Sequence, residues 1–258
     1  MKTGLFGAGN MGGAILEAAV RSGHTVKVYD PSPAAKKRFE NYKEVIFTGN
    51  ETQAAADCDL LIFAVKPSMV KDVCRKISGS VTDKAAILSV AAGVRVSVYE
   101  DYFKNNGIVR AMPNLPALCG KGYTGLFFKN IDDEQLKKEI SGIFGMVGEV
   151  GIFEKEEMID KLIPVTSSSP AYICMMIEAM ADGAVRLGFT RKESYKMAEQ
   201  AVLGTAAYLL ETGMHPAELK DRVCSPAGTT IEAVAALEES GFRNSILEAM
   251  DRCYSKVK

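Results

Sequence analysis

Thr3-Gly-Leu-Phe-Gly7-Ala8-Gly9-Asn10-Met11-Gly12 is the stretch on which the fold turns. The apolar run at 3–6 predicts a strand, and the helical period over 10–21 predicts a helix directly after it. Between them lies G-x-G-x-x-G. Gly7 permits a tight turn, Gly9 lets the backbone come close to a pyrophosphate, and Gly12 lets the helix pack closely on the strand. At such a turn Ala8, Asn10 and Met11 offer backbone N–H groups at the positive end of a helix dipole. A plain glycine turn in any α/β protein has the same letters. Asp30 adds weight, because it closes the second predicted strand at the spacing where a carboxylate reaches a ribose.

Outward from this turn, strands are predicted at 3–6, 25–30, 45–47, 60–65, 86–90, 108–112, 123–128 and 149–153. Helices at 10–21, 33–42, 68–77 and 134–144 fall between them. Strand–helix alternation with almost wholly apolar strands predicts a parallel sheet covered on both faces. Right-handed crossovers make that sheet doubly wound, a Rossmann-type α/β domain. Ligands bind such sheets at the carboxyl ends of the strands. Ala64-Val65-Lys66-Pro67 and Ala91-Ala92-Gly93 stand there, so they either line a dinucleotide or are ordinary strand exits.

Past residue 155 strands stop and helices take over, giving domains at 1–155 and 156–258 with a joint near 154–158. Ser169-Pro170 reads as an N-cap followed by proline at the first helical position. The helix behind it carries only Glu178, Asp182 and Arg186 as charges, spaced by four into one narrow stripe. So broad an apolar surface needs cover on most sides, from a second subunit or from the interior of a larger bundle. Thr190 and Glu193 form a capping box for a helix that runs to about Thr212 and stops at Gly213. Shorter helices are predicted at 216–223, 230–239 and 243–256.

The whole chain has 258 residues, a net charge of −1 and no lysine–arginine run, which argues against a nucleic-acid partner. Its first residues read as a strand entering a glycine turn rather than as a signal peptide, and no apolar run is long enough to span a bilayer. Its six cysteines form no C-x-x-C pair, so they read as reduced, mostly packed thiols of a cytoplasmic protein. Two isolated histidines argue against a metal site and a histidine-based nucleophile.

A second polar turn lies far downstream, at Cys224-Ser225-Pro226-Ala227-Gly228-Thr229-Thr230. Thr229 with Glu232 predicts another capping box. The N–H groups of 228–230 would then converge on a small anion at a helix start, and the Thr230 hydroxyl adds one hydrogen bond. The same letters also describe a capped helix after a Ser-Pro turn. For the coenzyme, Asp30 would accept from both ribose hydroxyls and repel a 2′-phosphate, favouring NADH. Ser32 and Lys36-Lys37-Arg38 nearby would favour NADPH, or simply form a solvated helix face.

These motifs together resemble the pyrroline-5-carboxylate reductase family over essentially the full length. The resemblance is carried by Gly7-Ala-Gly9-Asn-Met-Gly12, Ala64-Val-Lys-Pro67, Arg110-Ala-Met-Pro-Asn114, Ser168–Val185 and above all Ser225-Pro-Ala-Gly-Thr-Thr230. It implies reduction of 1-pyrroline-5-carboxylate to L-proline with NADPH or NADH, the last step of proline synthesis. It further implies a helical domain that interlocks with a second subunit, in homodimers or decamers. By the same resemblance the loop at 227–230 holds the substrate carboxylate, Ser225, Gly228, Thr229 and Thr230 are the substrate-binding residues, and the Thr230 hydroxyl stands near the ring nitrogen. Ser169 and Tyr172 shape the pocket or are merely a helix cap and a packed aromatic. Three positions depart from the family pattern: Leu115 where threonine is common, and Ser167 and Ala227 where glycine is common. A methyl at Ala227 limits access to positive φ, which favours 228–230 as the anion seat. Two other classes share this layout: related imine or 3-hydroxyacid oxidoreductases, and a dinucleotide-binding protein that has lost turnover.

Overall fold

The computed structural model describes residues 1–257 and forms two compact units, Met1–Ser167 and Ser168–Lys256. The first is built on β1 (Lys2–Phe6), β2 (Thr25–Tyr29), β3 (Val45–Phe47), β4 (Leu60–Phe63), β5 (Ala86–Ser89), β6 (Ile108–Met112), β7 (Gly122–Lys129) and β8 (Gly148–Ile152). They make one sheet in the order β3-β2-β1-β4-β5-β6-β7-β8. Its helices are α1 (Asn10–Arg21), α2 (Pro33–Arg38), α3 (Glu51–Ala55), α4 (Val70–Ile77), α5 (Val96–Glu100), α6 (Glu134–Gly145) and α7 (Glu157–Leu162).

The alternation of side chains along each strand loads both faces. Leu5, Leu60, Ile62, Leu88 and Val109 join one core with Ile15, Leu16 and Phe144. Phe6, Leu61, Phe63, Ile87 and Ile108 join the other with Val70, Val73, Cys74, Ile77 and Tyr99. In α4 those buried residues recur at i, i+3, i+4 and i+7, so one stripe faces the sheet and the remaining face is exposed. The doubly wound expectation is met.

The expectation of an all-parallel sheet is not: β7 pairs with β6 antiparallel, and β8 then pairs with β7 in parallel. The reason lies in the connection. Residues 113–121, with a 3₁₀ turn at Leu115–Cys119, are too few to carry the chain back across the sheet, as a parallel neighbour requires. Helix α2 also ends at Arg38, short of the expected 33–42, because Phe39 turns into the core at 1% exposure. Among the cysteines only Cys58 and Cys74 are buried, whereas Cys119 and Cys174 are exposed, so apolar neighbours in sequence overstated their packing. Among the described residues no helix is long and apolar enough to cross a membrane.

The sheet unit extends past the anticipated joint at 154–158. Arg110, at the centre of β6, is 1% exposed and lies beneath α7. Its guanidinium donates to Glu156 at 2.9 Å and to Asp160 at 2.7 Å, and Glu156 also accepts the Val96 N–H at 2.7 Å. Leu162 and Ile159 of α7 crowd over Gly125 of β7, where any Cβ would fall 2.0 Å from Leu162 Cδ1. A π-helical turn, Ile163–Ser167, follows, and Asn114 Nδ2 donates to the Thr166 carbonyl at 2.9 Å. Charge pairing and packing thus hold the chain to the sheet as far as Ser167.

The second unit contains α8 (Ser169–Arg186), α9 (Arg191–Thr212), α10 (Pro216–Val223), α11 (Thr229–Glu239) and α12 (Phe242–Ser255). Thr190 and Glu193 close both halves of the capping box before α9, and Gly213 ends it in the left-handed conformation. Ser169 is not the N-cap of α8. Ser168 occupies that position with a helical backbone and no capping bond, because the chain arrives already coiled from the π-turn. Tyr172 and Ser168 instead meet Cys253, with 3.2 Å between Ser168 Oγ and Cys253 Sγ. Within α8–α12 only Ala181, Ser194 and Ala198 are buried. Leu187 and Leu210 are 80% and 83% exposed. These helices carry apolar faces that one chain does not cover.

The Arg110 network yields a stability prediction. Glu156→Gln with Asp160→Asn leaves a buried guanidinium without a counter-charge and should cost about 3–5 kcal/mol in urea unfolding. Adding Arg110→Met to that pair should restore a substantial part of the loss.

Candidate functional site

The glycine turn sits at the carboxyl end of β1, between β2 and β4, where the strand order reverses direction. Gly7 has φ +89°, and a Cβ there would lie 2.7 Å from the Ala64 carbonyl. A Cβ on Gly12 would lie 2.1 Å from the Gly7 carbonyl, so only glycine lets α1 begin this close to β1. By contrast a Cβ on Gly9 would meet nothing within 4 Å. Gly7 N–H donates to the Tyr29 carbonyl, and Gly13 N–H takes the Gly9 carbonyl. The N–H groups of residues 9–12 have no partner among the described residues. Open space over Gly9 and unpaired donors at a helix start are what a diphosphate needs, so the residues present fit a dinucleotide.

Ala8 differs from the others of the turn. Its N–H is already taken by Asp30 Oδ2 at 2.6 Å, while Asp30 Oδ1 accepts the Ser32 N–H at 2.8 Å. One carboxylate therefore ties the glycine turn to the turn after β2. Ala8 can serve the site by shape but not by that donor.

The other predicted coenzyme residues converge on the same edge. Ala64 and Val65 lie directly against Gly7 and Gly12, and Ala64 N–H donates to the Phe6 carbonyl at 2.9 Å. Lys66 and Pro67 follow as an exposed exit into the 3₁₀ turn Pro67–Met69. Ala92 and Gly93 are exposed beyond β5, with Gly93 at φ +71°. That loop is held from below: Ser89 Oγ accepts the Ala91 N–H at 3.1 Å and the Tyr99 hydroxyl at 2.5 Å. Burial pushes the Tyr99 phenol far above its usual range, so it stays a donor. Sequence reading passed over this pair. The available signal was a lone polar Ser89 inside an otherwise apolar strand.

The downstream turn belongs to the helical unit. Gly228 N–H donates to the Ser225 carbonyl at 3.0 Å, closing a four-residue turn with Pro226 and Ala227 at its corner. Ala227 stands at φ +56°, the left-handed conformation that the type II form of such a turn requires of its third residue. A Cβ on the following Gly228 would lie 2.2 Å from Ser225 Oγ and 3.0 Å from the Ser225 carbonyl. The expectation that the methyl would keep Ala227 from positive φ is overturned.

Thr229 is not the N-cap either. Gly228 caps α11 without a side-chain bond, and Thr229 is the first helical residue, which puts Glu232 one place too far for a capping box. Of the three expected donors the Gly228 N–H is spent on the turn. Those of Thr229 and Thr230 have no partner among the described residues. Thr230 lines a cavity of about 540 Å³ with Thr205, Tyr208, Leu209, Leu219 and Val223. Two open N–H groups, a threonine hydroxyl and an apolar wall suit a small ring bearing a carboxylate. Ser225 Oγ lies beside Gly228. Of the family-variant positions, Leu115 is 58% exposed, and Ser167 Oγ is buried with no hydrogen-bond partner. Among the described residues no three His, Cys, Asp or Glu side chains gather as a metal site.

Two family models match the chain. One, described as pyrroline-5-carboxylate reductase dimerisation, covers residues 156–258. The other, described as NADP oxidoreductase, coenzyme F420-dependent, covers residues 2–93. The pyrroline-5-carboxylate reductase of Escherichia coli strain K12 is 40% identical over 99% of this chain and 96% of its own. A pyrroline-5-carboxylate reductase structure from Coxiella burnetii superposes with a TM-score of 0.90 at 32% identity, over 99% of this chain and 96% of that one. The Plasmodium falciparum pyrroline carboxylate reductase, solved with NADP bound, shares the fold: TM-score 0.86 at 24% identity, covering 100% of this chain and 97% of that one.

A dinucleotide turn at a sheet switch point, joined in one chain to an all-helical unit, defines a nicotinamide-dependent oxidoreductase with NAD(P)H as coenzyme. With full-length identity at this level, the chain belongs to the pyrroline-5-carboxylate reductase family.

The turn at Ala227 supplies a test of this geometry. Ala227→Gly removes a left-handed alanine costing about 1–2 kcal/mol but adds unfolded-state freedom of about 0.4–1 kcal/mol. Urea unfolding should show a net gain of up to about 1.5 kcal/mol, whereas an alanine in ordinary backbone geometry would give a loss.

Proposed function

We propose that the chain reduces 1-pyrroline-5-carboxylate to L-proline with NADH or NADPH, the last step of proline biosynthesis. The observation that carries this reading is the start of α11, where the N–H groups of Thr229 and Thr230 are unpaired among the described residues and Thr230 lines a cavity. The proposed division of the chain is 1–155 for the coenzyme and 156–258 for the substrate and subunit contact, the latter being the span of the family's dimerisation model.

In this reading Gly9, Asn10, Met11 and Gly12 receive the diphosphate, while Gly7 and Ala8 shape the turn and Asp30 takes the ribose. Ala64, Val65, Lys66, Pro67, Ala92 and Gly93 form the rim along the neighbouring strand ends. The N–H groups of Thr229 and Thr230 hold the substrate carboxylate, with Gly228 and Ser225 setting their direction. The helix dipole behind them adds about 0.3–1 kcal/mol. The Thr230 hydroxyl is the residue we place in catalysis: it orients the ring nitrogen and bonds to its proton.

When bound, the reduced nicotinamide supplies a hydride. The protein's own contribution is positional. A cyclic imine protonated on nitrogen is already electrophilic at its C=N carbon, so no histidine relay is required. Anchoring the carboxylate at one end of the ring and the nitrogen at Thr230 fixes which carbon is presented. Such fixing replaces a bimolecular encounter with an effectively unimolecular one.

The uncovered apolar faces of α8 and α9, with Met175 68% and Leu210 83% exposed, support pairing with a second copy of the chain. The assembly is then a homodimer, or such dimers gathered into a decamer. We place it in the cytoplasm.

An NAD(P)H-oxidation assay comparing pyrroline-5-carboxylate with larger cyclic imines and with 3-hydroxyacids separates this reading from related oxidoreductases and from a non-catalytic binder. Thr230→Ala should lower kcat/KM on pyrroline-5-carboxylate by about 10²-fold or more, while unfolding and NAD(P)H binding stay near wild type. Undiminished turnover in that variant removes Thr230 from the mechanism.

A further inference from the structure

We propose that Asp30 makes this chain selective for NADH, through a carboxylate fixed in place by the two turns it joins. The inference rests on reading residues 7–12 as the coenzyme cradle and goes further, by choosing between the two coenzymes.

The geometry around Asp30 leaves little that could welcome a 2′-phosphate. A carboxylate offers about four lone-pair directions. Here one on each oxygen is used, by Ala8 N–H at 2.6 Å and Ser32 N–H at 2.8 Å. Each oxygen keeps one direction free, which matches the two vicinal hydroxyls of an unphosphorylated ribose. A phosphate monoester at that position has acceptor oxygens and negative charge to offer, so it meets Asp30 as a like charge without a hydrogen bond. The side chain cannot easily swing aside, because doing so breaks both backbone bonds and releases the glycine turn from the turn after β2.

Two of the nearby groups that would bind such a phosphate already have partners. Ser32 N–H is spent on Asp30 itself. Arg38 donates to Glu17 at 2.9 Å and stacks on the Phe39 ring at 4.9 Å from its centroid. Its guanidinium also covers Gly13, where a Cβ would lie 2.8 Å from Arg38 Nη1. This arginine is therefore bound down along α1. Lys36 and Lys37 remain on the exposed surface of α2, where solvent screens them. Against one fixed carboxylate they supply long-range attraction but no built seat.

The test is coenzyme binding followed by fluorescence of the reduced nicotinamide, together with kcat/KM for each coenzyme, on the wild type, Asp30→Ser and Asp30→Asn. The wild type should bind NADH tighter than NADPH by about tenfold or more. Both variants lose at least one of the two backbone bonds made by Asp30 and should weaken binding of both coenzymes, NADH more than NADPH. Their distinguishing result is the ratio, which should move toward NADPH by about tenfold. A purely structural Asp30 lowers both affinities and leaves the ratio fixed, which overturns the proposal. So does a wild type that binds NADPH as tightly as NADH, a result available even when neither variant folds. Binding and turnover are read separately. NADH-selective binding without pyrroline-5-carboxylate reduction keeps this inference and sinks the function proposed above, whereas imine reduction driven preferentially by NADPH does the reverse.

Discussion

The close approach of α1 to β1 is the constraint on which the coenzyme end of the molecule depends. It exists because Gly12 carries no side chain: a Cβ there would fall 2.1 Å from the Gly7 carbonyl. With the helix seated so near the strand, its first N–H groups open onto the sheet's carboxyl edge instead of onto another part of the protein. The same approach brings Ala64 against the turn and sets the exit of β4 alongside it. Asp30 then fixes the turn from the side through Ala8. Each of these contacts presupposes the others, and a single added methyl at Gly12 would force them all to move.

The helical unit works by a different economy. Its helices are well terminated, by a full capping box at Thr190 and a left-handed Gly213, yet they bury almost nothing. Termini of this quality fix where each helix begins and ends but contribute only about 0.5–2 kcal/mol apiece. The driving force for a folded domain must come from apolar area, and most of that area on α8 and α9 still faces outward. Association with another copy supplies the missing burial and explains why a family model for this region is described by its dimerisation.

The downstream turn shows how one local requirement can displace another. Four residues had to close between α10 and α11. The bond from Gly228 N–H to the Ser225 carbonyl closes them, with the residue after Pro226 at positive φ. In this chain that residue is alanine. The next residue is glycine, where a Cβ would lie 2.2 Å from Ser225 Oγ. The result is a turn that directs the next two N–H groups outward from the start of α11.

The sequence by itself determined the element types, the strand–helix alternation, the glycine turn and the helix boundaries at Thr190 and Gly213. All of these follow from periodicity and from residues with special backbone freedom, which act within a few positions of themselves. Tertiary structure alone decided the reversal at β7, the extension of the sheet unit to Ser167 through Arg110, Glu156 and Asp160, and the use of Asp30 as a clamp on Ala8. It also decided that Gly228, not Thr229, caps α11. These depend on partners 22 to 50 residues apart in the chain, or on how a turn closes in space. Hydrogen bonds and ion pairs between distant residues leave no periodic trace, because the chain records which groups exist but not which of them meet.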